Sequence, residues 1–453
     1  MNTTSYKENR LLIHDGLVIT MGDNPEVLPH HSVGISGDKI AFIKPSLEVN
    51  LAEWNEVYDA RDMAVMPGFI NCHTHAAMSL MRGFADDKPL KEWLENYIWP
   101  SEAAFMNREN VALGTRLALL EMIAAGTVMF ADMYFFEDEV AQACKEAGMR
   151  VLLGEGLLDF KTPHFQRPED GISFTLDLAS EYALDPLVKV AFAPHAVYTV
   201  SPTLLKKIAE LSDQYNLPVH IHLAETQQEV EECIHSLGVH PIDHLSNVGL
   251  LNHRLIAAHM VHVPAKYYVS LREAGVRIAH NPSANLKLAS GFAPVHEYLR
   301  EKVILGLGTD GPASNNNLAL PIEWRHSSLI TKMLTGQPEA LNAYDALYMA
   351  TTGGAKVLGV SHITGSLEPG KAADLILIPL DKPHLQPIYN IYATLAYSMH
   401  PTDVDTVIIN GKTIMRGRRI LTLDTDKILF EVKQVEKKIE HYFHLNNRRN
   451  GKK

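Results

Sequence analysis

Between residues 65 and 365 the chain alternates apolar runs of strand length with longer stretches of helical period. Eight runs carry the strand pattern: 65–75, 126–133, 150–157, 188–198, 218–226, 255–263, 276–281 and 303–310. The stretches between them, such as 111–125 and 202–215, have helical periodicity. Ser201-Pro202 supplies an N-cap followed by proline at the first helical position. Strands alternating with helices predict an α/β architecture with parallel strands. Eight such units fit a (β/α)8 TIM-type barrel with insertions. The competing doubly wound sheet usually carries a Gly-rich phosphate loop after a strand, and no GxGxxG or Walker sequence occurs here.

The two chain ends follow a different pattern. Apolar runs at 11–14 and 18–21 flank Asp15-Gly16, and runs at 32–35 and 39–43 flank Gly37-Asp38. Near the other end, 373–378 reads as a strand, and 404–409 and 412–415 flank the turn Asn410-Gly411. These are hairpin signals. They predict that 1–64 and 366–453 form one composite β-sandwich domain, and that 65–365 is a separate barrel domain. Residues 431–453 read as a charged amphipathic helix with a basic tail, more a packed end than a binding element.

Composition narrows the classes. At 453 residues the chain exceeds one ordinary core. A formal net charge of −12 disfavours nucleic acid and anionic membrane as partners. Cys72, Cys144 and Cys233 are far apart with no CxxC pairing, which argues against a disulfide framework and for a reducing compartment. Residues 1–7 are polar and lack the apolar core of a signal peptide. The expectation is a cytoplasmic protein.

The chemistry collects at the predicted strand ends, where a barrel places its active site. The first strand ends in His73-Thr74-His75, whose histidines alternate onto one face. Later strands end in His195, in His220-Ile221-His222, in His259, in His280 and in Asp310. His73, His75, one histidine of strand five and Asp310 would make a site of three imidazoles and one carboxylate. That set suits Zn²⁺, one per chain, or Fe²⁺, with a position left open for water. His222 is the expected fifth-strand ligand because it lies nearer the strand end, leaving His220 a supporting layer. Glu225, three residues past His222, is the candidate acid/base. Asp310 can ligate with one oxygen and accept a proton with the other. His259 is placed to hydrogen-bond the metal hydroxide or the developing oxyanion-like centre.

With these residues assembled, the chain resembles the amidohydrolase superfamily, in its mononuclear-metal branch. The matching stretches are PGFINCHTH at 67–75, HIHLAET at 220–226, AHMVH at 258–262, HNPSANLKLASG at 280–291, LGTDGPASNNN at 307–317 and GSLEPGKAAD at 365–374. Within it, LMRGFADDKPLKEWL at 80–94 and IWPSE at 98–102 resemble the 5′-methylthioadenosine/S-adenosylhomocysteine deaminases. The resemblance implies hydrolytic deamination of an adenine nucleoside to its inosine analogue. It further implies that Trp93 packs on the nucleoside, that Glu102 binds ribose hydroxyls and that His195, Glu225 and Asp310 also contact substrate. Homo-dimers or tetramers are common in that family. One departure matters. Where relatives can carry an arginine for the carboxylate of S-adenosylhomocysteine, this chain has Glu155, with Arg167 as the surviving candidate. Deamination or substituent hydrolysis of a free heterocycle, guanine or an s-triazine, is the rival reaction. A non-catalytic scaffold is the rival class, but such proteins lose metal ligands, and here all of them are present.

Overall fold

The computed structural model describes residues 10–450. The polar stretch at 1–7 and the last three residues of the basic tail lie outside the described residues. Strands β1 (Arg10–Ile19), β2 (Val27–Ser36), β3 (Lys39–Pro45), β4 (Glu56–Asp59) and β5 (Met63–Pro67) open the chain. The middle carries β6 (Phe69–Thr74), β7 (Thr127–Asp132), β8 (Arg150–Leu153), β9 (Gly156–Leu157), β10 (Val188–Val190), β11 (Ala193–Pro194), β12 (Val219–Leu223), β13 (Leu255–His259), β14 (Arg277–His280) and β15 (Ile304–Leu307). The chain closes with β16 (Leu375–Pro379), β17 (Thr406–Ile409), β18 (Lys412–Arg416) and β19 (Arg419–Ile420).

Both ends join one nine-stranded sheet in the order β19-β18-β17-β16-β5-β1-β2-β3, with β4 on β1. Its own apolar core includes Ile13, Val33, Val65, Leu375 and Ile408. The hairpin at Asn410-Gly411 forms as predicted, with Ile409 opposite Lys412 and positive φ at both turn residues. The turn expected at Asp15-Gly16 does not form. There β1 runs on through a bulge, with register shifts on both sides of Gly16 and Asp15 at φ +62°. The reason is a close approach: a Cβ on Gly16 would lie 2.6 Å from Val65 Cγ2.

The middle strands pair in parallel, β10-β8-β7-β6 in one sheet and β12-β13-β14-β15 in another, with β11-β9 beside them. Parallel bridges Phe192–Val219 and Ala196–His222 connect the pair β11-β9 and β10 to β12. At the other side, the N–H groups of Thr309 and Asp310 both donate to His73 O, at 3.1 and 2.9 Å, bringing the end of β15 onto β6. Every residue of β6, β7, β12 and β13 is buried, as expected for strands covered on both faces. The predicted helix at 202–215 is present as Pro202–Tyr215, capped by Ser201. The helix Arg108–Ala124 is capped by Asn107. The C-terminal helix starts earlier than expected, spans Thr425–Asn450, buries Ile428, Val435 and Ile439, and packs on Arg108–Ala124. No helix among the described residues is long and apolar enough to cross a membrane.

The single run expected at 65–75 is two strands in two sheets. Gly68 is the break. A Cβ there would sit 2.1 Å from Val128 Cγ1, so only glycine lets the chain pass from β5 to β6 at this spot. The two sheets are tied by a buried ion pair. Arg150 on β8 donates to both oxygens of Asp374, at 2.6 and 3.2 Å, and to Asn410 Oδ1 at 2.8 Å. Its remaining amine donates to Pro186 O at 2.5 Å. Removing one partner leaves the other charge buried and unpaired, which costs about 3–5 kcal/mol. Arg150→Leu is therefore expected to lower the unfolding free energy from denaturant titration by an amount in that range, with a lower midpoint. An unchanged midpoint would show that the pair carries no such weight.

Candidate metal centre and active site

Strand β6 delivers the first two histidines. Period-two alternation sets Asn71, His73 and His75 on one face. Asn71 bonds Thr309 twice, through Nδ2 to Oγ1 at 2.8 Å and from Thr309 N to Oδ1 at 3.1 Å. This pairing, with the bonds to His73 O, seats Asp310 beside both histidines. Glycine at 308 permits the approach, because a Cβ there would lie 2.2 Å from Asn281 Oδ1 and 2.9 Å from His73 Cβ.

His73, His75, His222 and Asp310 each offer one ligand atom, and these atoms lie within 4.8 Å of one another. Each ring is oriented from behind. His75 Nδ1 donates to Met133 O at 2.5 Å and His222 Nδ1 to His195 O at 2.7 Å. His73 Nδ1 faces His220 Nε2 at 3.0 Å. The Nε2 atoms therefore turn inward. Those of His73 and His75 stand 3.4 and 3.2 Å from Asp310 Oδ1. His75 Nε2 and His222 Nε2 face one another at 3.2 Å, and His73 Nε2 is buried with no hydrogen bond. Nitrogen lone pairs pointed at a common centre beside a carboxylate fit a divalent cation. His220 is the supporting histidine, not a member of this cluster.

Asp310 dominates the electrostatics of the cluster. Burial raises the Asp310 carboxyl, but the adjacent His73 and His75 rings outweigh that and hold it well below the usual range. Burial lowers His75, yet Asp310 overrides it and lifts the ring to about 9. Burial pushes His73 down to about 4, and burial with neighbouring imidazoles holds His222 well below its ordinary value.

Glu225 follows β12 on a turn that needs Ala224 at φ +50°. Glu229, in the next helix, holds that turn by accepting from Ala224 N and Glu225 N, both at 2.8 Å. Ser290 Oγ donates to Glu225 Oε1 at 3.2 Å, and His259 Nε2 lies 3.8 Å from Oε2. Burial raises the Glu225 carboxyl against the opposing pull of His259. Asn285 Oδ1 takes His259 Nδ1 at 2.7 Å, which leaves Nε2 facing the site.

His75, His222, Glu225, His259 and Asp310 line one cavity of about 360 Å³. The segment Leu90–Phe105 forms a wall and contributes Trp93 and Glu102, both buried. Burial pushes Glu102 up to about 7, against Tyr134 and His75, which lower it. His195 also lines the cavity, its Nδ1 bound to Thr199 Oγ1 at 2.9 Å. Arg167 is not brought there. Its guanidinium is exposed and forks onto Asp170, three residues along at the start of a helix, at 2.7 and 3.2 Å. Glu155 does not line the cavity either, since its buried carboxylate faces His164 at 3.0 Å. Tyr134, Phe160, Lys161, Gln166 and Tyr198 line the cavity without having been singled out from sequence. Tyr134 lies two residues past β7 and one past the run expected at 126–133, so reading one residue further would have found it. Tyr198 ends the run expected at 188–198, and Phe160, Lys161 and Gln166 sit in a loop with no periodic signal.

A metal-type cluster on an α/β fold defines a class, and the comparisons agree with it. The amidohydrolase family profile matches residues 64–414, and the chain belongs to that family. It is 42% identical over 429 residues to the 5-methylthioadenosine/S-adenosylhomocysteine deaminase 1 of Syntrophus aciditrophicus (strain SB), covering 94% of this chain and 97% of that one. An adenosine deaminase from Xanthomonas campestris with bound zinc superposes with a TM-score of 0.92 at 37% identity, over 95% of this chain and 98% of that one. Atrazine chlorohydrolase from Arthrobacter aurescens TC1, complexed with zinc, has a TM-score of 0.88 at 25% identity, over 94% and 100% of the two chains.

The supporting histidine gives a test. Losing a group that orients a metal ligand typically costs about 10–100-fold in metal affinity. His220→Ala is expected to weaken Zn²⁺ binding by that factor in chelator competition. Affinity equal to the parent's would remove His220 from the centre.

Proposed function

We propose that this chain is a metal-dependent deaminase of adenine nucleosides, releasing ammonia and leaving the inosine analogue. The observation that carries this reading is one cavity holding both halves of the task. The ligand cluster, Glu225 and His259 stand at its inner end, and a buried indole and carboxylate, Trp93 and Glu102, stand on its wall. The named relatives support the substrate class. We assign His73, His75, His222 and Asp310 as ligands of one Zn²⁺ per chain, with Fe²⁺ the alternative. When bound, such a cation supplies water acidified to a pKa of about 7.

The chain's own residues do the rest. Asp310 accepts the proton of the attacking water and delivers it to the departing amine. Glu225, raised by burial, gives its proton to N1 of the purine as C6 becomes tetrahedral. His259, fixed by Asn285, hydrogen-bonds the group developing at C6. Glu102 accepts two ribose hydroxyls, and Trp93 offers an apolar face to the nucleoside. His195 contacts the substrate.

We also read β6–β15 as one closed (β/α)8 barrel and the nine-stranded sheet as a composite β-sandwich domain. The domain boundary then falls at Gly68 rather than at residue 65. Hydrolysis of a substituent on a free ring is the second reading, favoured by the likeness to atrazine chlorohydrolase.

Loss of adenine ultraviolet absorbance on mixing with 5′-methylthioadenosine is the direct assay, run with adenosine, S-adenosylhomocysteine and guanine in parallel. Chelation is expected to abolish activity, and Zn²⁺ to restore it. Glu225→Gln is expected to lower kcat about 10²–10⁴-fold with metal content retained. Glu102→Ala is expected to impair nucleosides and spare free bases. Faster turnover of guanine than of any nucleoside would favour the second reading.

A further inference from the structure

Glu225 stands between two cavities. It lines the first, beside the ligand cluster, and is buried there. Ser290, whose Oγ donates to Glu225 Oε1 at 3.2 Å, lines a second cavity of about 520 Å³. Leu90, Leu94, Trp99, Phe160, Tyr198 and Leu288 line both, so the wall between the two is largely apolar. The bond from Ser290 to Glu225 is a polar crossing of that wall. Its donor is held in place. His262 Nε2 donates to Ser290 O at 2.6 Å, and Ser290 N donates to Asn285 O at 2.9 Å. On either side the backbone is left-handed, with Ala289 at φ +54° and Gly291 at φ +117°, a conformation kept because the surroundings impose it. Glu229 also lines the second cavity, but its two oxygens are taken by the N–H groups of Ala224 and Glu225.

Proton balance gives this crossing a use. Glu225 gives its proton to N1 and is left a carboxylate. Asp310 moves one water proton onto the amine, and the proton of the C6 hydroxyl leaves on ammonia, as ammonium, when the carbonyl forms. Each turnover therefore takes up one proton from solvent, and Glu225 is the group that needs it. A ligand cavity encloses most of its occupant, so a bound nucleoside cuts Glu225 off from solvent on its own side. A complex formed while Glu225 is a carboxylate has no acid for N1 unless a proton arrives from behind. Burial favours the acid form once that proton is delivered.

We propose that Ser290 relays protons from the second cavity to Glu225 while a nucleoside occupies the first. The Ser290 O–H bond breaks as its hydrogen passes to Glu225 Oε1. A proton from water in the second cavity, replenished by a buffer acid, takes its place on Oγ. Ser290 touches no reacting atom. It is a positioning residue for the Glu225 carboxyl and the route by which that carboxyl regains its proton. This rests on the adenine-nucleoside reading and adds to it how the acid is restored.

The test is a pH jump on the zinc-loaded enzyme. Labelled adenosine is bound above the pH at which turnover ceases, then mixed into neutral buffer with an excess of unlabelled adenosine. The label converted before it dissociates reads the arrival of a proton at an occupied site. The parent is expected to convert most of it. Ser290→Ala and Ser290→Val, which lack the hydroxyl, are expected to convert about 10-fold less, because a missing acid forfeits roughly 10²-fold or more in rate. Ser290→Thr, matched to valine in size, is expected to recover most of the parent's conversion. In single turnovers run at neutral pH throughout, where Glu225 takes its proton before the nucleoside covers it, all four proteins are expected to agree within about 2-fold. Equal losses in the jump and at constant pH overturn the relay, because they mark a residue that only orients Glu225. Equal conversion by all four proteins in the jump overturns it too, as does a parent that turns over at neutral pH but converts no label after the jump. Failure of the parent to bind adenosine would instead sink the nucleoside reading itself.

Discussion

A buried carboxylate surrounded by imidazoles is the constraint on which this molecule turns. Removing a carboxylate from water costs several kcal/mol, recovered only through close, well-directed partners. Asp310 has them at both oxygens. His73 and His75 approach Oδ1, and Ser314 Oγ donates to Oδ2 at 2.6 Å. The backbone at 310 is itself held in the left-handed region, at φ +62°. What keeps it there is the next layer: Asn315 Nδ2 donates to Thr309 O at 2.7 Å and to Glu323 Oε1 at 2.9 Å. Glu323 in turn accepts from Ser283 N at 3.0 Å, so the segments after β14 and β15 are fixed by one carboxylate.

The composite sheet is part of the same construction. Strand β5 pairs with β16 and β1, and one residue later the chain is already in β6. The histidines of β6 are thus a few residues from a strand whose register is set by the far end of the chain. The Arg150–Asp374 pair ties the second contact between these units, at the opposite side of Gly68, whose N–H donates to Asp374 O at 3.2 Å. A sheet that lends no residue to the ligand cluster still fixes where two of its histidines lie.

Much of this was legible in the sequence because it depends on short-range periodicity. Alternation put His73 and His75 on one face, and nearness to the strand end placed His222 rather than His220 in the cluster. The hairpin at Asn410-Gly411 was legible because its turn residues must take positive φ. What escaped depends on contacts between distant segments. Asp15-Gly16 has the same local chemistry as a turn, and only the approach of Val65 makes it a bulge. Gly68 reads as a strand glycine until Val128 is seen against it. The loop residues Lys161 and Gln166 have no period at all.

Position 155 shows the limit most sharply. A sequence reports that a glutamate stands where a cation would be useful, but not which way it faces. Here it faces inward, onto His164 and away from the cavity. Its carboxylate is taken up by His164 and the Glu137 amide, so it anchors a loop rather than lining the cavity. Arg167 fails for the complementary reason. It lies close in sequence to the cavity loop, but the first turn of a helix supplies Asp170 at three-residue spacing, and that local partner takes both arms of its fork. A forked arginine would recognise a carboxylate at two points. In this chain Asp170 occupies that two-point face of the guanidinium, outside the cavity.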